Sequence, residues 1–180
     1  MAKERRETQN PRLETGVPLR GGNAWVTIAQ ALREVKRLAV DASALIDYIE
    51  ETPETIALLR RLLEKARTNR IALVGSSLLY AEMLVVARTD THYTDAEARY
   101  RAALEEIEIV PITKQASERA ADFRMDYRLE TADALHLSCA VESKCDAFVT
   151  CDGHFNRAQG IPVGPGGQSL KIIHTRKLRA

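Results

Sequence analysis

The chain lacks the material that several common activities require. It has three cysteines, Cys139, Cys145 and Cys151, at an even six-residue spacing. Zinc sites show close pairs of Cys or His, and secreted scaffolds show even cysteine counts, so neither class fits and a reducing compartment does. No apolar stretch reaches the roughly 18 residues that a membrane span needs. The opening MAKERRETQNPRLETG has no apolar segment, so it does not read as a secretory signal. A cytoplasmic protein with no membrane partner is the expectation. There is no Gly-x-x-x-x-Gly-Lys-Ser/Thr phosphate loop and no Gly-x-Gly-x-x-Gly dinucleotide fingerprint. Ser76-Ser77 follows Gly75 but lacks the glycine pattern of a nucleophile elbow. The four histidines, His92, His136, His154 and His174, are scattered, and no internal repeat or low-complexity segment is visible.

What is present is an uneven charge distribution. The net charge is only +1, yet residues 1–37 carry +4, residues 153–180 carry five Lys/Arg and no acid, and residues 38–152 carry −8. An acidic centre between basic ends fits a metal site beside a surface for a polyanion. Solvated tails give the same numbers.

With 180 residues and 45% hydrophobic content, the chain suits one domain plus an extension. Residues 1–23 are polar and irregular, with Pro11, Pro18 and Gly21-Gly22. Trp25, Ile28, Leu32 and Val35 recur at helical spacing, so a helix is expected over 24–37. Short strands are expected at Leu38–Val40, Ile71–Val74, Ile107–Val110, Ala147–Thr150 and Leu170–Ile173, with helices between them. Expected helix starts are Thr52-Pro53, Ser76, the capping box Thr94 to Glu97, Thr113 and Thr131. Alternating strands and helices imply an α/β fold whose parallel sheet is covered on both faces. The division expected is an extension over 1–37, a catalytic domain over 38–175 and a basic tail over 176–180.

Four acids sit in apolar settings: Asp41 after Leu38-Ala39-Val40, Glu82 between Leu78-Leu79-Tyr80-Ala81 and Met83-Leu84-Val85-Val86, Asp133 in Ala132-Asp133-Ala134-Leu135, and Asp152 after Phe148-Val149-Thr150-Cys151. Each has a bland explanation. Asp41 is a good helix cap, with Ser43 as the alternative cap or a holder of metal-bound water. Asp133 favours a helix dipole, Asp152 suits a turn before Gly153, and Glu82 can pair with an arginine from elsewhere. Glu82 is the hardest to dismiss, because its helix is apolar nearly all round and reads as buried. Taken together, the acids point to a shared cation, and Asp41 and Asp152 both fall at strand ends, where such folds hold ligands.

The chemistry explains the number of acids. A phosphodiester is anionic and repels hydroxide; divalent ions neutralise it, generate the nucleophile and stabilise the leaving oxygen. Mg²⁺ and Mn²⁺ prefer carboxylate and water ligands, and an acid cluster loses them on protonation, so activity is expected to fall in acid. His136, between Leu135 and Leu137, reads as packed; His154, close after Asp152, is a minor candidate for substrate contact. Arg124, Arg128, Lys171, Arg176, Lys177 and Arg179 are candidates for phosphate contact.

The ordered set Val40-Asp41-Ala42-Ser43-Ala44-Leu45, Glu82, Ala132-Asp133-Ala134-Leu135-His136-Leu137 and Val149-Thr150-Cys151-Asp152-Gly153-His154-Phe155 resembles the PIN-domain ribonucleases, most of all the VapC-type toxins of prokaryotic toxin–antitoxin pairs. The resemblance spans about residues 38–175. It implies a three-layer α/β/α sandwich with a parallel sheet of about five strands. It also implies Mg²⁺- or Mn²⁺-dependent hydrolysis of single-stranded RNA, a homodimer and a separate antitoxin that blocks the acidic pocket. Carried over by position, Asp41, Glu82, Asp133 and Asp152 are the metal-binding acids, Thr150 the hydroxyl before the last acid, and Ser43 the small polar residue two after the first. Residues 1–37 depart from the compact pattern of these toxins. PIN domains also serve in RNA processing, and a non-catalytic RNA-binding scaffold or another metal-dependent phosphohydrolase are the remaining alternatives.

Overall fold

The computed structural model describes residues 25–51, 56–90, 92–164 and 166–179. The irregular stretch expected over 1–23 and the helix start at Thr52-Pro53 lie outside the described residues. In chain order the elements are β1 (Val26–Thr27), α1 (Ile28–Ala31), β2 (Arg37–Val40), α2 (Ala42–Ile49), α3 (Ile56–Thr68), β3 (Ala72–Ser76), α4 (Leu78–Thr89), α5 (Tyr93–Glu105), β4 (Glu108–Val110), α6 (Lys114–Tyr127) and α7 (Thr131–Glu142). They continue with β5 (Ala147–Thr150), a 3₁₀ turn (Gly153–Arg157), β6 (Pro162–Val163), β7 (Gln168–Ser169), β8 (Lys171–His174), a second 3₁₀ turn (Thr175–Lys177) and β9 (Leu178–Arg179).

Five strands form one sheet in the order β4-β3-β2-β5-β8, with every neighbouring pair parallel. Alternation along the strands divides the core. Leu38, Val40, Ala147 and Val149 pack into one cluster with α2, α3, α4 and α5, through residues such as Leu45, Leu62, Leu79 and Tyr100. Ala39, Val74 and Phe148 face the opposite cluster with Phe123, Leu137, Ala140 and Phe155, from α6, α7 and the first 3₁₀ turn. This is the expected three-layer α/β/α sandwich. Strands buried on both faces read as continuous apolar runs, which is why they were visible in the sequence.

Several local expectations are corrected. The helix expected over 24–37 is a single turn, Ile28–Ala31. Thr27 and Gln30 form a capping box at its start, and Glu34 at φ 64° closes the segment behind it. Ile28, Leu32 and Val35 are buried, but Trp25 is 53% exposed. Helix α5 starts at Tyr93 with His92 at the cap, so Thr94 to Glu97 is no capping box; Glu97 pairs with Arg101 at 2.6 Å and Arg88 at 3.5 Å. Helix α7 is preceded by Glu130, not capped by Thr131. Ser76 ends β3, which runs through Gly75, while Ser77 takes the cap position of α4. Thr113 caps α6 as expected, accepting from the Ala116 N–H at 2.9 Å.

Two features sit beyond the expected pattern. Residues 162–169 carry a small antiparallel pair, β6 with β7. The residues expected as a basic tail form the second 3₁₀ turn and β9, which pairs in parallel with β1 through Val26–Leu178 and Thr27–Arg179. No helix among the described residues is long and apolar enough to cross a membrane.

Candidate active site

Parallel strands deliver their carboxyl ends to one edge, and the acids are collected there. Asp41 follows β2, Asp152 lies two residues after β5, Asp133 sits in the first turn of α7, and Glu82 projects from the second turn of α4. Helix α6 ends at Arg128, whose left-handed φ of 55° reverses the chain so that α7 starts at this edge. One pocket is lined by Asp41, Ser43, Glu82, Asp133 and Asp152, closed by Ala42, Ile46, Ala81, Val85 and Val86. No lysine or arginine is among the residues lining it.

Asp41 occupies the cap position of α2 but makes no capping bond. Its carboxylate looks the other way. Ser43 Oγ donates to Oδ2 at 2.5 Å and Thr150 Oγ1 donates to the same oxygen at 2.8 Å. Both hydroxyls are oriented in turn by backbone, Ser43 Oγ accepting from the Cys151 N–H at 3.1 Å and Thr150 Oγ1 from the Asp152 N–H at 2.9 Å. The two hydroxyls therefore fix Asp41 and the strand end that carries Asp152 as one unit. Asp41 is 3% exposed. Burial pushes its carboxyl above the ordinary range, and the Glu82 charge adds to this, while His136 and the two hydroxyls oppose it.

Asp133 is half-buried, and its carboxyl is pushed up to about 6, first by burial and then by the charges of Asp41, Asp152 and Glu130. Asp152 Oδ1 accepts from the His154 N–H at 2.8 Å, so the turn role foreseen for it is real. Its other oxygen, Oδ2, lies 3.4 Å from His154 Nδ1. Ligand atoms of Asp133, Asp152 and His154 all lie within 4.8 Å of one another, a group that can hold a metal ion. Burial and the neighbouring acids make the Asp133 carboxyl resist ionisation, which a bound cation relieves, so this donor set fits a divalent ion.

The apolar run suggested a fully buried Glu82, but its side chain is 31% exposed where it lines the pocket, on a helix whose Tyr80 and Val85 are also exposed. Its partner is not an arginine. His136 Nε2 lies 2.5 Å from Glu82 Oε2, and His136 Nδ1 lies 3.0 Å from Ser76 Oγ. The histidine expected only to pack is thus both packed and paired. The signal was available: Asp133 and His136 are three residues apart on one helix, hence on one face. Burial disfavours its charge, but the Glu82 hydrogen bond and the fields of Asp41, Glu82 and Asp133 outweigh it and hold the imidazole above its ordinary value.

The basic candidates divide. Arg124 and Arg128 are exposed at the end of α6, which leads directly into the start of α7. Lys171 is corrected. It stands at the amino end of β8, opposite Ala147, away from the acidic edge. Its Nζ donates to the carbonyls of Ala31 and Arg33 at 3.2 and 3.1 Å, holding the segment before β2. The three thiols are unpaired and pushed up by burial, to about 11 for Cys139 and about 12 for Cys145 and Cys151, so none is a thiolate nucleophile at neutral pH.

A PIN-domain family model matches residues 38–161. The chain belongs to the PIN-domain family. Solved structures agree on the fold. The structure titled VapBC2 from Rickettsia felis bound to a DNA fragment from their promoter is matched with a TM-score of 0.59 at 15% identity, covering 76% of this chain and 98% of that one. VapBC-1 from nontypeable Haemophilus influenzae is matched with a TM-score of 0.57 at 15% identity, covering 78% and 99%. A toxin–antitoxin complex from Klebsiella pneumoniae is matched at 0.53 and 22% identity, covering 77% and 97%. No curated protein sequence matches.

Proposed function

We propose that this PIN-domain protein is a Mg²⁺- or Mn²⁺-dependent endoribonuclease that hydrolyses single-stranded RNA and acts as the toxin of a toxin–antitoxin pair. The observation that carries the reading is the convergence of Asp41, Glu82, Asp133 and Asp152 on one pocket that no lysine or arginine lines. In this reading Asp133 and Asp152, with Asp41 beside them, would hold the metal, and Glu82, paired with His136, would act from the pocket wall. A bound divalent ion neutralises the phosphodiester and lowers the pKa of water at the site.

The chain's own groups do the positioning. Ser43 and Thr150 engage one oxygen of Asp41 and so present the other to the pocket. His154, exposed beside Asp152 and part of the same candidate group, would complete the ion's donor set. Arg124 and Arg128 meet the RNA phosphates at the rim. The toxin role is supported by the fold shared with proteins solved as toxin–antitoxin complexes. The partner would be a separate antitoxin that closes the acidic pocket with an arginine, a match for crowded carboxylates. A homodimer completes the reading.

The test is cleavage of an end-labelled single-stranded RNA with Mg²⁺, with Mn²⁺ and with chelator. Cleavage with either metal, none with chelator, and a loss of at least about 100-fold in Asp133→Asn are expected. Cleavage that survives both chelation and Asp133→Asn contradicts the assignment.

A further inference from the structure

The acidic pocket has a basic flank that its chemistry does not use. From Gly153 to the end, the chain carries five Lys/Arg and no acid. All five are exposed; Lys171 is engaged with the carbonyls of Ala31 and Arg33, which leaves Arg157, Arg176, Lys177 and Arg179. Among the described residues none of the four stands in an ion pair. The same flank carries the chain's single tryptophan, Trp25, which is 53% exposed. The Arg179 guanidinium lies over the indole, 5.8 Å from its centroid. With the Arg179 guanidinium over it, the indole is still 53% exposed.

A series of contacts runs from the pocket edge toward this ring. The first 3₁₀ turn starts immediately after Asp152, and within it Asn156 Oδ1 accepts from Lys177 Nζ at 2.6 Å. Arg179 is two residues beyond Lys177, about 7 Å along an extended chain. Arg179 pairs with Thr27 in the parallel β1–β9 ladder, and Trp25 precedes that ladder by one residue. The ladder is anchored below by Leu178 and Ile28 in the core. A large aromatic held at the surface by a strand and an arginine, along a basic track from a phosphodiester site, has the make-up of a single-strand stacking platform.

We propose that Trp25, braced by Arg179, is a subsite that stacks a base of the RNA flanking the scissile bond, while Lys177, Arg176 and Arg157 contact the intervening phosphates. The proposal rests on the ribonuclease reading above. Apart from Arg157, the residues named lie outside the matched family segment, Trp25 before it and Arg176, Lys177 and Arg179 after it.

Because Trp25 is the only tryptophan, its emission reports on this subsite alone. The full-length Asp133→Asn protein, which retains the RNA uncut, is titrated with a single-stranded 12-mer RNA. Binding is read by anisotropy of a labelled copy, and stacking by tryptophan emission with the unlabelled one. Expected are quenching that saturates with the anisotropy curve, roughly 5- to 100-fold weaker binding in Trp25→Ala, substantial retention in Trp25→Phe, and a salt slope smaller by about 1 in Arg176→Gln. A duplex of the same sequence is expected to leave the emission unchanged. RNA that binds without altering Trp25 emission, and with equal affinity to Trp25→Ala, overturns the subsite and leaves the nuclease reading standing. Trp25→Ala that breaks an oligomer without weakening RNA marks the patch as a protein interface and also overturns it. Absence of both RNA binding and wild-type cleavage removes the nuclease reading and the subsite together.

Discussion

His136 Nε2 lies 2.5 Å from Glu82 Oε2, and the ring that makes this contact is almost wholly buried while the carboxylate reaches the pocket. The pair joins α7 to α4 across the acidic edge, and Ser76 Oγ holds the ring's other nitrogen at 3.0 Å. A buried base beneath the pocket offsets part of its negative charge before any cation binds.

Replacing this histidine by an apolar residue strands two polar groups. His136→Leu leaves Ser76 and Glu82 without their partner and is expected to lower stability by about 1–3 kcal/mol. A urea midpoint that falls without a change in slope is the expected signature. An unchanged midpoint would mean that the pair contributes nothing to the fold.

The site's titrations make stability depend on pH in a stated direction. The His136 value is raised above its ordinary 6.5, so its stabilisation is fully present below that pH and is lost as pH rises through the raised value. The Asp133 carboxyl, raised from 3.8 to about 6, costs stability as pH climbs through that interval. Metal-free protein is therefore expected to melt at a lower temperature at pH 8 than at pH 5, with a flatter profile in Asp133→Asn. Divalent ion at 100 times its dissociation constant should restore about 2.7 kcal/mol at pH 8. A metal-free melting temperature that rises steadily from pH 5 to 8 contradicts this electrostatic picture.

Gly75 is expected to tolerate no side chain. A Cβ there would stand 2.2 Å from Leu79 Cδ1 and 3.2 Å from Ile107 Cγ2, and Leu79 is fully buried. Gly75→Ala forces the buried Leu79 side chain, on the helix that carries Glu82, out of its place, at about 1–3 kcal/mol. Thermal melting measures the loss, and a variant as stable as wild type would show that Leu79 has room to move.

Lys171→Met separates structure from substrate binding. It removes both bonds to the carbonyls of Ala31 and Arg33. Faster amide exchange over residues 28–36 is expected, with RNA affinity unchanged. A weakened RNA affinity in a variant with normal exchange would return Lys171 to the substrate.

Much of this arrangement was legible in the sequence, for reasons that differ by element. The buried strands announced themselves as apolar runs, and the acids as charges inside them. Thr113 was readable as a cap because its bond to Ala116 is local. Lys171 was misread because basic character does not say which end of a strand a residue occupies. Glu82's partner was hidden for a related reason: His136 is 54 residues away, and only the packing of α7 against β3, the strand that leads into α4, brings it close. Trp25 fell on a helical stripe by spacing alone, whereas Thr27 starts the helix after it and leaves the indole outside.

The central claim is that the four acids form one divalent-cation site. Calorimetric titration of Mn²⁺ into the wild type and into Asp133→Asn at pH 7.5 tests it most directly. The account predicts saturable binding with proton release in the wild type, weakened at least about 10-fold in Asp133→Asn. A wild type that takes up no Mn²⁺, or a variant that binds it equally well, would contradict it.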